Sequence, residues 1–167
     1  MRFEVELILK PNYQLVPLFL TSYLMPHTSY LKMKGYLLKE QQITIGEDTF
    51  IKSVSSENNF AVIFEDDNET GYFYGAEEDK ETQDVRILDM VHIYDVESIP
   101  EMEREATLSI IWSTDWTRCA LVLNNYCHAV FDFANQAGYN RNRFPPPHIW
   151  TSHDRALTDE MIASFFK

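Results

Sequence analysis

The sequence predicts an α+β fold, mainly antiparallel β, ending in a C-terminal helix. Three observations carry this. Short runs of β-branched and aromatic residues recur from residue 43 on, separated by polar turns. Asn124-Asn125 joins two such runs, and the type I′ hairpin turn needs positive φ at both central residues, which Asn tolerates. Apolar residues then return at helical spacing after Pro145-Pro146-Pro147. With 167 residues, 45% of them hydrophobic, the chain can bury a core without disulfides or a structural metal. Residues 41–167 read as a single mostly β domain, and residues 1–40 as an N-terminal extension or its first strand.

Taken in order, Phe3, Val5, Leu7 and Leu9 alternate with Glu4, Glu6 and Ile8, the period of an amphipathic strand. Residues 11–40 give no single reading. Their apolar stretch, 15–24, contains Pro17, Thr21 and Ser22 and is far shorter than the ~20 residues of a membrane helix. Strands are expected at 60–64, 71–74, 85–94, 108–112, 119–123 and 126–133. These contain a weak repeat. Val62-Ile63-Phe64, Tyr72-Phe73-Tyr74 and His92-Ile93-Tyr94-Asp95 parallel Ile110-Ile111-Trp112, Ala120-Leu121-Val122 and 128–132. A duplicated three-stranded unit explains this, and so does chance likeness between β segments. The run 77–81 reads as a solvated acidic loop. Thr158 can cap a helix over 158–166, with Asp159 and Glu160 favourable in its first turn. Leu157, Met161, Ile162, Phe165 and Phe166 would form its buried face.

The net charge of −12 is unevenly spread. Residues 41–105 carry four Lys/Arg against eighteen Asp/Glu, a net −14, while 1–40 carry +2 and 106–167 are neutral. This balance disfavours nucleic acid, whose phosphates need cations, and anionic membrane surfaces. It favours a basic protein partner, steered by the field of the acidic segment; a solvated, solubilising surface explains the same charges. Glu77, Glu78, Asp79 and Glu81 are the candidate partner-binding residues. Two cysteines and the absence of a signal-peptide pattern at the N-terminus indicate a cytoplasmic protein.

Candidate ligand-binding residues are His128, Asp132, Tyr139 and Arg141. The Asn124-Asn125 turn sets Leu123 opposite Tyr126, Leu121 opposite His128 and Cys119 opposite Val130. Both faces of this hairpin are apolar, so it is expected to be central and covered on both sides. Cys119 and Cys127 would point to opposite faces, unbonded. His128 is then either a satisfied core histidine or the floor of a pocket. Arg141 can clamp a carboxylate or phosphate, or pair with an acidic loop of its own chain, as can Arg143.

Metal readings are weak. Asp66, Asn68, Thr70, Gly71 and Glu77 match calcium-loop spacing, but the flanks read as strands and Gly71 suits a hairpin turn at positive φ. His128 and Asp132 would sit on one face of a strand, roughly 13 Å apart, too far to share a metal. His92 and Asp95 would face opposite ways, and a site using His92 with His128 requires the two units to pack together. His148 and His153 follow three prolines in a loop. No metal, no cofactor and no convincing Ser or Cys nucleophile is predicted.

The residues 64–74, then Ile87-Leu88-Asp89 with His92-Ile93-Tyr94, then 128–133 and Gly138-Tyr139 with Arg141, Phe144 and Pro145 resemble an uncharacterised bacterial family. It is known as domain of unknown function twenty-two fifty-one. The resemblance covers roughly 41–147 and leaves out the first forty residues and the C-terminal helix. It implies a bacterial source and brings no activity or catalytic residues. The sequence therefore predicts a non-enzymatic cytoplasmic binding or interaction module, immunity-like in its most concrete form, with an acidic face that neutralises a basic partner. The alternative is a small enzyme or ligand-binding protein with a pocket near His128, Asp132, Tyr139 and Arg141.

Overall fold

A computed structural model describes residues 3–9 and 31–167. The stretch 15–24 lies outside the described residues. The strands are β1 (Phe3–Leu9), β2 (Leu31–Thr44), β3 (Thr49–Val54), β4 (Phe60–Asp66), β5 (Thr70–Glu78), β6 (Val85–Asp95), β7 (Glu105–Trp112), β8 (Arg118–Leu123), β9 (Tyr126–Asp132) and β10 (Ala137–Asn140). Helix α1 is Asp159–Phe165. All strand pairings within the sheets are antiparallel, in a six-stranded sheet β1-β2-β7-β8-β9-β10 and a four-stranded sheet β3-β4-β5-β6. The two repeat segments are the meanders β4-β5-β6 and β7-β8-β9, one in each sheet.

Two apolar cores follow from the alternation of side chains along the strands. Val62, Phe64, Phe73 and Val91 of the smaller sheet meet Ile110, Trp112, Leu121 and Phe131 of the larger, so the sheets stack as a sandwich. The other face of the larger sheet presents Ile111, Ala120, Val122, Cys127 and Val130 to Leu157, Ile162 and Phe166 at the C-terminus. The β8–β9 hairpin is thus covered on both sides. Asn124 and Asn125 have φ of 49° and 61°, as a type I′ turn requires. Cys119 lies in the inter-sheet core, Cys127 under the helix, and both are free thiols.

The hairpin register departs from the predicted one. Leu123 pairs with Tyr126 and Val122 with Cys127, but Leu121 pairs with Ala129 and Cys119 with Phe131. His128 is the extra residue of a β-bulge, so Ala129 and Phe131 join the Leu121 face and Val130 the other. A second bulge falls at Ile93, since Tyr72 pairs with His92 and Gly71 with Tyr94. Gly71 is not the residue at positive φ in the β4–β5 turn. Asn68 is, with φ 77°, while a Cβ on Gly71 would lie 2.6 Å from the Tyr94 ring. The acidic run is not all loop: Glu77 and Glu78 end β5.

Candidate functional site

Four connections meet at one pole: the β2–β3 and β4–β5 turns, the β6–β7 link and the β8–β9 turn. Here the sandwich is open between β6 and the β8–β9 hairpin and holds a cleft of about 610 Å³. Ile45, Ile93, Ile99, Ala106 and Leu123 make its walls mostly apolar. The polar groups on it include His92, Asp95, Glu103, Tyr126, His128 and Asn142.

The bulge at Ile93 turns His92 and Asp95 to the same side, correcting the expectation of opposite faces, and His92 Nε2 lies 2.9 Å from Asp95 Oδ1. The imidazole is oriented from behind. Asn142 Oδ1 accepts from Asn140 Nδ2 at 2.8 Å and from the Phe144 amide at 3.0 Å. That orientation leaves Asn142 Nδ2 to donate to His92 Nδ1 at 2.5 Å, so the ring proton sits on Nε2 and points at Asp95. The Phe144 and Tyr72 rings flank the imidazole at 5.9 and 6.0 Å.

His128, swung out by its bulge, is half-buried on the same cleft. Its ring stands edge-on to Tyr126 at 4.8 Å and has no hydrogen-bond partner among the described residues. Loss of water, and then the nearby Arg141 charge, push its pKa down to about 4. The cleft therefore presents a neutral imidazole with both nitrogens unspent. The two repeat units do bring His92 and His128 to one cavity.

The rim is acidic. Glu47, Asp48, Asp67 and Glu69 are exposed in the two turns, and Glu97, Glu101 and Glu103 along the β6–β7 link. The cation of these connections is Arg104, whose Nε donates to Ile99 O at 3.2 Å and Nη2 to Val96 O at 3.4 Å. The field of the acidic segment is thus concentrated at the pole where the cleft opens.

The remaining sequence candidates are spent on the fold. Arg141 donates to Cys127 O, Leu157 O and Asp159 Oδ1 at 2.9, 3.1 and 2.7 Å, fastening α1 to β9. Asp132 is buried on Arg118 Nε at 2.9 Å, and the Tyr139 hydroxyl meets His153 Nε2 at 3.1 Å. Neither lines the cleft with His128. Of the acidic candidates, Glu78 is buried and pairs with Lys52, and Glu77 pairs with Arg86. Asp79 accepts the Glu81 and Thr82 amides at 2.8 and 3.0 Å, capping its own turn. Glu81 is exposed. All four lie at the opposite pole. Asp66 of the calcium-like spacing is buried and accepts from Gly46 N, Tyr94 OH and Asn68 N at 2.7, 2.7 and 2.9 Å.

Sequence reasoning missed a buried ionic knot. Arg155 binds Asp89 through two nitrogens, at 2.7 and 2.9 Å, with both side chains buried. Thr151 and His148 also reach Asp89, and Arg155 Nη1 donates to Gly138 O at 3.1 Å. Burial disfavours the carboxylate, but Arg155, Thr151 and the Met90 amide outweigh it and hold Asp89 below the usual range. The knot ties β6 and β10 to the C-terminal segment across more than sixty residues of sequence, so no local pattern could reveal it.

The chain is 38% identical over 133 residues to an uncharacterised protein of Haemophilus influenzae, covering 75% of this chain and 81% of that one. No solved structure matches it. Among the described residues, no helix is long and apolar enough to cross a membrane. The family match spans residues 43–166, past the expected limit at 147 and through α1, and so this chain belongs to the family of uncharacterised proteins conserved in bacteria, DUF2251.

Proposed function

We propose that the protein is a non-enzymatic binding module that docks a basic protein partner at the acidic pole. The observation that supports this most is the coincidence of a mostly apolar cleft with an acidic rim whose connections carry one partly buried cation. An apolar centre ringed by charge is the anatomy of a protein interface, and the field speeds encounter with a partner of opposite sign. The serine on the cleft is not paired with a base: Ser98 Oγ donates to the backbone oxygen of Asp95 at 2.7 Å and not to an imidazole, and both cysteines are in the cores. The cytoplasm, where such thiols stay reduced, is the compartment this reading assigns. Masking a basic surface of the partner would be its immunity-like form.

The test is capture from the native host, followed by association kinetics at two salt concentrations. The reading expects a basic partner whose on-rate falls steeply with salt. Glu97→Lys/Glu101→Lys/Glu103→Lys should abolish capture, and Glu77→Lys/Glu81→Lys at the other pole should leave it nearly intact. An acidic partner, or equal loss from both sets, would overturn the reading. A small molecule filling the cleft with no protein partner would favour the pocket alternative.

A further inference from the structure

The cleft itself narrows the kind of basic segment that can dock. We infer that it takes a short extended peptide segment in which an apolar side chain is followed closely by Lys or Arg. The inference rests on the binding reading above and deepens it. About 610 Å³ is the size of cavity that holds a drug-sized ligand, enough for a few residues and too small for a helix with its side chains. The apolar anchor has Ile93, Ile99 and Leu123 to bury against. Beside them Asp95 is fixed by His92, whose proton is directed to Oδ1 by the Asn140–Asn142 relay. That leaves Asp95 Oδ2, with Glu103, to receive a cation. Opposite, His128 offers an imidazole nitrogen to the segment's backbone or side chain, and its bulge is what turns it to the cleft. An anionic group would meet Asp95 and Glu103 with no protein cation lining the cavity among the described residues.

The probes are the capped tripeptides Lys-Leu-Lys, Gly-Leu-Gly and Glu-Leu-Glu, titrated into the full chain and followed by NMR. Lys-Leu-Lys should give saturable shifts at the His92 and His128 rings and at the Leu123 and Ile99 methyls. Gly-Leu-Gly should bind about tenfold more weakly and Glu-Leu-Glu not at all. Asp95→Asn should weaken Lys-Leu-Lys about tenfold. Ser98→Trp, an exposed plug at the rim, should block it while thermal unfolding shows the fold intact. If Lys-Leu-Lys binding is lost in the Glu97/Glu101/Glu103 variant but untouched by Ser98→Trp, the pole binds cations without the cleft. The inference then fails and the functional reading stands. If Gly-Leu-Gly binds as tightly as Lys-Leu-Lys, or no tripeptide shifts a cleft resonance, the inference fails with the cationic preference it was built on.

Discussion

His128 carries a pH signature that its placement dictates. Its folded pKa is about 4 because burial, then Arg141, disfavour the imidazolium, against an ordinary value near 6.5. The unfolded chain therefore takes up the proton first as pH falls. Stability tied to this group is whole above about pH 6.5, declines below it, and levels off near pH 4. Between pH 7.5 and 5 the wild type should lose about 2 kcal/mol more than His128→Gln, measured by urea unfolding at each pH. An equal loss in both proteins would mean the ring is hydrated in the folded state. Arg155 makes a second demand at this scale. Arg155→Leu leaves Asp89 buried without its main counter-charge and should cost about 3–5 kcal/mol. Asp89→Val/Arg155→Leu should lose clearly less than the two single variants added together, which a denaturation cycle would show. Neither residue's role was legible in the sequence. His128 is a site candidate in the sequence, but its surroundings depend on a one-residue bulge, and alternation along a strand predicts only the unbulged register. The same device at Ile93 hid the His92–Asp95 pair.

At the level of elements, patterning spoke more clearly. The amphipathic alternation of β1, the Asn-Asn hairpin and the helical spacing at the C-terminus all appear where physical chemistry put them, because each depends on neighbours a few residues away. Thr158 caps α1 through its side chain, accepting from the Met161 amide at 3.2 Å. Less legible were β2, β3 and β10, and the division of the strands between two sheets, which long-range pairing alone decides. Within the helix, the expected burial of Met161 and Phe165 needs correction, since both are only partly buried and Ile162 alone between Asp159 and Phe165 is fully so. Phe166 is 2% exposed, whereas Phe165 is half-buried, lying under the Arg118 guanidinium at 4.8 Å and beside the Tyr139 ring. Phe166→Ala should therefore cost about 3–5 kcal/mol, Phe165→Ala markedly less, and Thr158→Ala about 1 kcal/mol. Calorimetric unfolding of the three variants checks the order. A larger loss from Phe165→Ala than from Phe166→Ala would mean the helix is rotated on the sheet.

At the level of the whole molecule, the placement of charge is the feature that composition revealed and topology focused. Summed over the sequence the charge is −12, but Glu77 and Glu78 are neutralised by Arg86 and Lys52, so the opposite pole contributes less field than its sequence suggests. At the cleft pole Glu97, Glu101 and Glu103 crowd one short link beside two acidic turns. Like charges held this closely repel in the folded state and less so in the expanded chain, so the pole lowers stability. Two consequences follow. Raising salt from about 10 mM to several hundred millimolar should increase Tm, since a Debye length of ~30 Å shrinks below ~8 Å. Neutralising the link with Glu97→Gln/Glu101→Gln/Glu103→Gln should raise Tm at low salt by about 2–4 °C and flatten the salt response. Glu77→Gln should do neither, because that carboxylate already faces a guanidinium. Scanning calorimetry of the three proteins at two salt concentrations decides it. If the triple substitution lowers Tm instead, the carboxylates are engaged in contacts within the fold and are not held free for a partner. If it raises Tm, the pole keeps a destabilising charge that the fold does not need, as a docking surface for a cationic partner would.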